Sequence, residues 1–150
     1  MKDAVTKQDI KLESAYYHAA NRNKKSVTVD MGKPEGQDLL HRIARESDVV
    51  VENFQVGKLD KYRLSYQHLS KINPRLVYAS ITGFGQTGPR KMEAGYDFAL
   101  QGMGGLMSIT GEPDSKPTKV GVAIVDMLTG MYTTTAILAA LESRRETGGM

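Results

Sequence analysis

Apolar and polar residues alternate in short blocks along this chain, and each block predicts an element. Ser14-Ala-Tyr-Tyr-His-Ala-Ala suits a short helix that ends at Asn21-Arg-Asn-Lys-Lys. Ser26-Val-Thr-Val-Asp30 alternates β-branched with polar residues and predicts a strand. After the turn Met31-Gly-Lys-Pro-Glu-Gly, Leu39, Leu40, Ile43 and Ala44 share one helical face, so 35–46 reads as an amphipathic helix with Pro34 in its first turn. Asp48-Val-Val-Val-Glu52 is a continuous apolar run, which predicts a strand buried on both faces. Residues 58–62 make a short turn or helix, and Ser65 to Ile72 a further helix stopped by Asn73-Pro74. Arg75-Leu-Val-Tyr-Ala-Ser-Ile81 is a third predicted strand. Gly83-Phe-Gly-Gln-Thr-Gly-Pro-Arg is a loop, and Gly95-Tyr96-Asp97 opens an apolar helix holding Phe98, Leu100, Met103 and Leu106. Gly102, Gly104 and Gly105 within it would cost about 1 kcal/mol each against alanine. Close approach of a backbone or ligand accounts for them, and so does a helix that breaks there. A last helix runs from near Ile124 to about Glu146, with Met127, Leu128, Met131, Ile137, Leu138 and Leu141 as its buried face and Gly148 as its stop.

Strand–helix–strand–helix–strand with connections of this length predicts an α/β fold with a parallel sheet and flanking helices. Ligands on such sheets sit at the carboxyl ends of the strands. Here those ends are Asp30-Met-Gly, Glu52-Asn53-Phe54 and Thr82-Gly83-Phe84-Gly85. The pattern shows no strand before residue 26, and three strands with one trailing helix leave sheet faces uncovered. The expectation is a truncated piece, or a chain that completes itself by oligomerising.

Composition narrows the chemistry. The chain has 150 residues, of which 40% are apolar and 25% charged, an ordinary globular balance long enough for one core. No uninterrupted apolar run approaches the roughly 18 residues of a membrane span, and the polar start lacks the apolar segment of a signal peptide. There are no cysteines, which removes disulfides, thiol catalysis and thiolate-bound zinc, and His18, His41 and His68 are too scattered for a local metal motif. A cytoplasmic, metal-free protein is the expectation. The net charge of +3 does not imply nucleic acid. Arg22, Lys24 and Lys25 form either a solvated loop or an anchor for a phosphate-bearing ligand.

One carboxylate stands out. Asp126 lies in Val120-Gly-Val-Ala-Ile-Val-Asp-Met-Leu-Thr-Gly130, among apolar neighbours and in the first turn of the last helix. The helix dipole favours an ionised carboxylate there. Two roles fit it: bracing the helix start, or acting as nucleophile or base.

From about Ser14 onward the sequence resembles the family III CoA-transferases, the group that includes formyl-CoA transferase and carnitine CoA-transferase. The matching stretches are Ala20-Asn-Arg-Asn-Lys-Lys-Ser26, Asp48-Val-Val-Val-Glu-Asn-Phe54, Ser80-Ile-Thr-Gly-Phe-Gly-Gln-Thr-Gly-Pro89, Ala94-Gly-Tyr-Asp97, Gly105-Leu-Met-Ser-Ile-Thr-Gly111 and Val120 to Gly130. On this resemblance, residues 1–13 are an unmatched tail and 14–150 part of a large Rossmann-like domain, without the family's first strand and second domain. The resemblance implies that Asp126 is the catalytic aspartate, that Asn53, Phe54 and Val29 lie near the CoA nucleotide, and that Lys61 approaches its phosphates. A lysine that some members use for CoA falls on Gly32, beside Lys33. It further implies a homodimer whose substrates are an acyl-CoA thioester and a carboxylic acid acceptor, with no tightly bound cofactor, no nucleic acid and no membrane partner.

The implied reaction is transfer of CoA through an aspartyl covalent intermediate, which is nucleophilic catalysis by Asp126. Alpha-methylacyl-CoA racemases share the fold, and their Gly-His-Asp motif aligns with Gly95-Tyr96-Asp97. A phenol titrating near ~10 is a poor substitute for an imidazole near ~6.5, which favours transferase and leaves Tyr96 to line the acyl pocket, donate a hydrogen bond or pack. A truncated module that only packs or oligomerises is the alternative from outside enzymology. A generic nucleotide-binding domain is a weaker one, because no complete Gly-x-Gly-x-x-Gly follows a strand.

Overall fold

The computed structural model describes residues 14–147, so the predicted tail 1–13 and the predicted stop Gly148 lie outside the described residues. In chain order come α1 (Ala15–Ala20), α2 (Pro34–Arg45), β1 (Val49–Glu52), α3 (Tyr66–Ile72), β2 (Val77–Ser80), α4 (Asp97–Met103) and α5 (Ile124–Thr147). Single 3-10 turns occupy Asp60–Tyr62 and Leu106–Ile109.

Local chemistry explains most of these boundaries. Pro34 is the first helical residue of α2, where its missing N–H leaves no bond unmade. The other end of α2 is closed from a distance: Asn73 Nδ2 donates to the carbonyls of Ala44 (3.2 Å), Arg45 (3.3 Å) and Ser47 (2.9 Å). The Asn73 Oδ1 accepts the Arg75 N–H at 3.1 Å, so one side chain ends α2 and starts the chain toward β2. β1 and β2 pair in parallel, with Val49 opposite Val77 and Glu52 opposite Ser80. Val50 and Tyr78 are register partners, and both pack on a core of Ala44, Leu59, Leu64, Leu69 and Leu76 beneath α2 and α3. Each fully buried leucine there contributes about 1.5–3 kcal/mol of transfer free energy. The Tyr78 hydroxyl donates to Leu64 O at 2.9 Å. Burial, with Glu52 and Asp60 nearby, pushes that phenol up to about 12.

The α/β fold, with a parallel sheet and flanking helices, is as predicted from sequence; several details differ. Ser26–Asp30 is not a strand, so among the described residues the sheet has two strands rather than three. Alternation of β-branched residues supplies the tendency, but a strand exists only where a neighbour completes the ladder. Nor is β1 buried on both faces, since Val51 is 54% exposed. The α4 helix stops at Met103 and leaves Leu106 to a 3-10 turn, because Gly105 takes a φ of +81°. Of the two readings of those glycines, the broken helix holds. The predicted buried face of α5 also fails: among its described residues none is buried, and Met131 is 66% and Leu138 61% exposed.

By length and mean hydropathy α5 is apolar enough to cross a membrane, although polar residues interrupt it and no uninterrupted apolar run reaches that length. Its polar anchors set it along the sheet. Arg144, near its C-terminal end, donates to Arg75 O at 2.7 Å and pairs with Asp48 Oδ1 at 2.7 Å. Asp48 directly precedes β1 and Arg75 lies two residues before β2. The other end of α5 therefore reaches the carboxyl ends of β1 and β2.

Candidate functional site

A cleft of about 870 Å³ opens where β1 and β2 end. Its walls come from the chain leaving β1, the chain leaving β2, the approach to α4 and the first turn of α5. Asn53, Phe54, Tyr96 and Asp126 all line it. The structure thus gathers four of the six residues singled out from sequence, contributed by three separate segments. Val29 and Lys61 lie outside the cleft lining. Val29 packs at the start of α2 near Gly36, and the Lys61 ammonium sits 4.6 Å from the Tyr62 ring centroid. The basic cluster of Arg22, Lys24 and Lys25 is exposed, also outside the lining, and Lys24 Nζ donates back to Ala20 O at the end of α1.

Each wall has a local reason for its shape. Glu52 turns its carboxylate onto the Phe54 N–H at 2.7 Å, which bends the chain sharply out of β1 and presents Asn53 and Phe54. Gln55 Nε2 then donates to Met92 O at 3.1 Å, tying this rim to the loop before α4. That loop is stiffened by Arg90, whose guanidinium lies 4.3 Å from the Phe84 ring centroid and meets Glu93 in a two-pronged pair at 2.6–3.0 Å. The hydrogen bonds from Arg90 hold the Glu93 carboxyl below its ordinary range. Lys91, on the same loop, also lines the cleft.

Backbone crosses backbone at the floor. A Cβ placed on Gly83 would lie 2.3 Å from Gly95 Cα, and one on Gly95 would lie 2.2 Å from Gly83 Cα. Neither position admits any side chain. The chain leaving β2 and the chain approaching α4 can touch only because both residues are glycine.

Asp126 is the third residue of α5 and is exposed to the cleft. Among the described residues its carboxylate has no hydrogen-bond or ion-pair partner. The helix start is braced by a different acid. Asp97, 7% exposed, accepts the N–H of Val125 at 2.7 Å and the N–H of Asp126 at 3.1 Å through one oxygen. Its second oxygen accepts from Gln101 Nε2. Gln101 is fully buried, and its Oε1 accepts the Val120 N–H at 2.9 Å, which fixes the chain leading into α5. Of the two roles open to Asp126, the structural one is already filled.

Sequence reasoning passed over Asp97 and Gln101, treating Asp97 only as part of a helix opening. The signal was present: an acid and an amide four residues apart in an otherwise apolar helix have no local purpose there. Thr82, placed at a strand end by the sequence, was not singled out for its hydroxyl. Thr82 lines the cleft, and its Oγ1 is buried with no hydrogen-bond partner among the described residues.

Comparison with known proteins bears on this geometry. Residues 3–149 match the family described as CoA-transferase family III, a stretch that takes in most of the segment 1–13. The chain is 56% identical over 130 residues to succinate–glutarate CoA-transferase of Agrobacterium fabrum, covering 87% of this chain and 32% of that protein. It is 44% identical over 136 residues to human succinyl-CoA:glutarate CoA-transferase, covering 91% of this chain and 31% of that protein. Among solved structures, a CAIB/BAIF family protein from Brucella suis superposes with a TM-score of 0.88 at 55% identity, over 91% of this chain and 36% of that one. The chain spans about a third of the length of the curated relatives it matches.

Proposed function

Because the chain belongs to CoA-transferase family III, we propose that it carries the nucleophile and part of the CoA site of an enzyme moving CoA from an acyl-CoA thioester to a carboxylic acid. One observation carries the reading: among the described residues the Asp126 carboxylate has no partner in the cleft, while Asp97 satisfies the N–H groups beside it. A carboxylate at a helix start that has no capping duty is available to attack.

In the proposed sequence the Asp126 carboxylate attacks the thioester carbonyl carbon. The carbon–sulfur bond breaks, giving a mixed anhydride and CoA thiolate. The thiolate attacks the aspartyl carbonyl, releasing the donor acid and leaving an aspartyl–CoA thioester. The acceptor carboxylate then attacks that thioester and frees the thiolate again. Attack of the thiolate on the new acyl carbonyl yields product acyl-CoA and regenerates the Asp126 carboxylate. No proton or electron is left over, since every nucleophile and leaving group is an anion. Phe54, 37% exposed on the rim, offers a face for the CoA adenine, and Asn53 offers amide hydrogen bonds. Lys61 and Val29, outside the cleft, would serve the nucleotide end of CoA. The exposed apolar residues of α5 support burial against further protein, in keeping with a homodimer.

Relatives named for succinate and glutarate support dicarboxylates as donor and acceptor. Lys91 on the cleft wall, with no carboxylate partner among the described residues, suits the distal carboxylate of such a substrate. A racemase would need a titrating imidazole where this chain has Tyr96, which is 77% exposed.

The test uses the complete gene product. Hydroxylamine should trap the aspartyl intermediate as a hydroxamate at Asp126 when acyl-CoA is supplied. Turnover retained in Asp126→Ala would remove the assignment, and deuterium incorporation at the alpha carbon of a 2-methylacyl-CoA would replace it with racemisation.

A further inference from the structure

We propose that Asp97 is a positioning residue for Asp126: it takes over the open N–H groups at the start of α5 so that the neighbouring carboxylate faces the cleft instead of its own helix. The inference rests on the nucleophile reading above.

A carboxylate on the third residue of a helix normally folds back onto N–H groups at the helix start, because the first turn has no internal acceptors. In α5 two of those groups belong to Val125 and to Asp126 itself, and both are satisfied by Asp97 from 28 and 29 residues upstream. The cap is rigid. Asp97 is held at its second oxygen by Gln101, and Gln101 is held by the Val120 N–H on the approach to α5. Both side chains are buried, so water does not compete for these bonds. The acid that would ordinarily brace the helix is thereby released, and the peptide unit carrying it is fixed. Without Asp97 the Asp126 carboxylate, in the same helical turn, can take the two vacated N–H groups, and its return to them withdraws it from the cleft.

Gln101 makes the idea separable from simple destabilisation. In the double variant Asp97→Asn/Gln101→Glu the introduced amide still offers an oxygen to the two N–H groups, and its NH₂ faces the introduced carboxylate. That carboxylate in turn accepts from Val120, and formal charge is unchanged. The single variant Asp97→Asn sets two NH₂ groups against each other. In the complete gene product, Asp97→Ala should lower kcat by about 100-fold, the loss expected for a reacting group displaced by about 1 Å, with KM for acyl-CoA within about threefold. Hydrogen exchange at the Val125 and Asp126 amides should accelerate in the same variant. The double variant should return kcat to within about fivefold of wild type. Circular dichroism establishes folding; should Asp97→Ala not fold, Asp97→Asn takes its place against the same rescue.

A kcat for Asp97→Ala within about threefold of wild type, a loss confined to KM, or a folded double variant as slow as the single would each overturn the proposal. Asp126→Ala is measured alongside. Turnover in that variant removes the nucleophile reading itself, whereas an inactive Asp126→Ala beside an undiminished Asp97→Ala removes only the positioning role.

Discussion

The two ends of the parallel strands are built to opposite ends. Where the strands begin, polar side chains are spent on holding the fold: Asn73 closes α2, and Arg144 ties α5 to Asp48 and Arg75. Where they finish, Asn53, Thr82 and Asp126 stand around an open cleft without partners among the described residues. The same helix, α5, spans both. Its C-terminal end uses its own arginine as an anchor, while its N-terminal end is anchored by Asp97, a residue of another helix. The difference teaches where a fold can leave a carboxylate without structural duty: at an end whose structural work has been delegated.

Breaking the open end should cost activity and spare the fold. Asp126→Ala should lower turnover by more than about 10⁴-fold, the scale on which removal of a nucleophile acts, with an unchanged melting curve. Breaking the core that supports both ends should do the reverse. Leu76, 1% exposed, should cost about 2–5 kcal/mol on replacement by alanine, read by urea unfolding. At the closed end Arg144→Met should destabilise by about 1–2 kcal/mol, because its side chain is 12% exposed and its charged hydrogen bonds are lost, while kcat stays within about twofold of wild type.

Tyr78 sharpens the comparison most gently, through pH. Its folded phenol is pushed up to about 12 from an ordinary 10.0, by burial first and by Glu52 and Asp60 second. The protonated form is therefore favoured in the folded state. Its contribution is complete below pH 10 and fades as pH rises towards about 12, as the unfolded phenol ionises first. Over that window the melting temperature of the wild type should fall more steeply than that of Tyr78→Phe. At neutral pH Tyr78→Phe should cost about 1 kcal/mol, for the Leu64 carbonyl left without its donor.

What the sequence announced, and what it withheld, follows from range. Pro34, the Val49–Val51 run and the stop at Asn73-Pro74 act on their immediate neighbours, and those elements formed within a residue or two of expectation. Asp126 in a first helical turn was equally legible. Ser26–Asp30 was misread because a strand needs a partner that no local pattern can promise. The exposed side of α5 was misread for a related reason: apolar residues at helical spacing show that a face wants burial, not that a covering surface is at hand. The bracing of α5 was hidden by the 28-residue separation between Asp97 and Val125. The cleft itself was half legible, since strand ends foretold Asn53 and Phe54 but not the meeting of Gly83 with Gly95.

That meeting has a consequence for how this protein can vary. Gly83 follows β2 and Gly95 lies two residues before Asp97, so the crossing joins the sheet to the very residue that caps α5. Neither glycine can compensate for change in the other, because each is obstructed by main chain rather than by a side chain that could shrink in response. In a saturation library selected for function, both positions should come back as glycine alone, independently of each other. A single methyl group at either one would be felt as an inheritance problem, a lesion with no second-site suppressor at its partner.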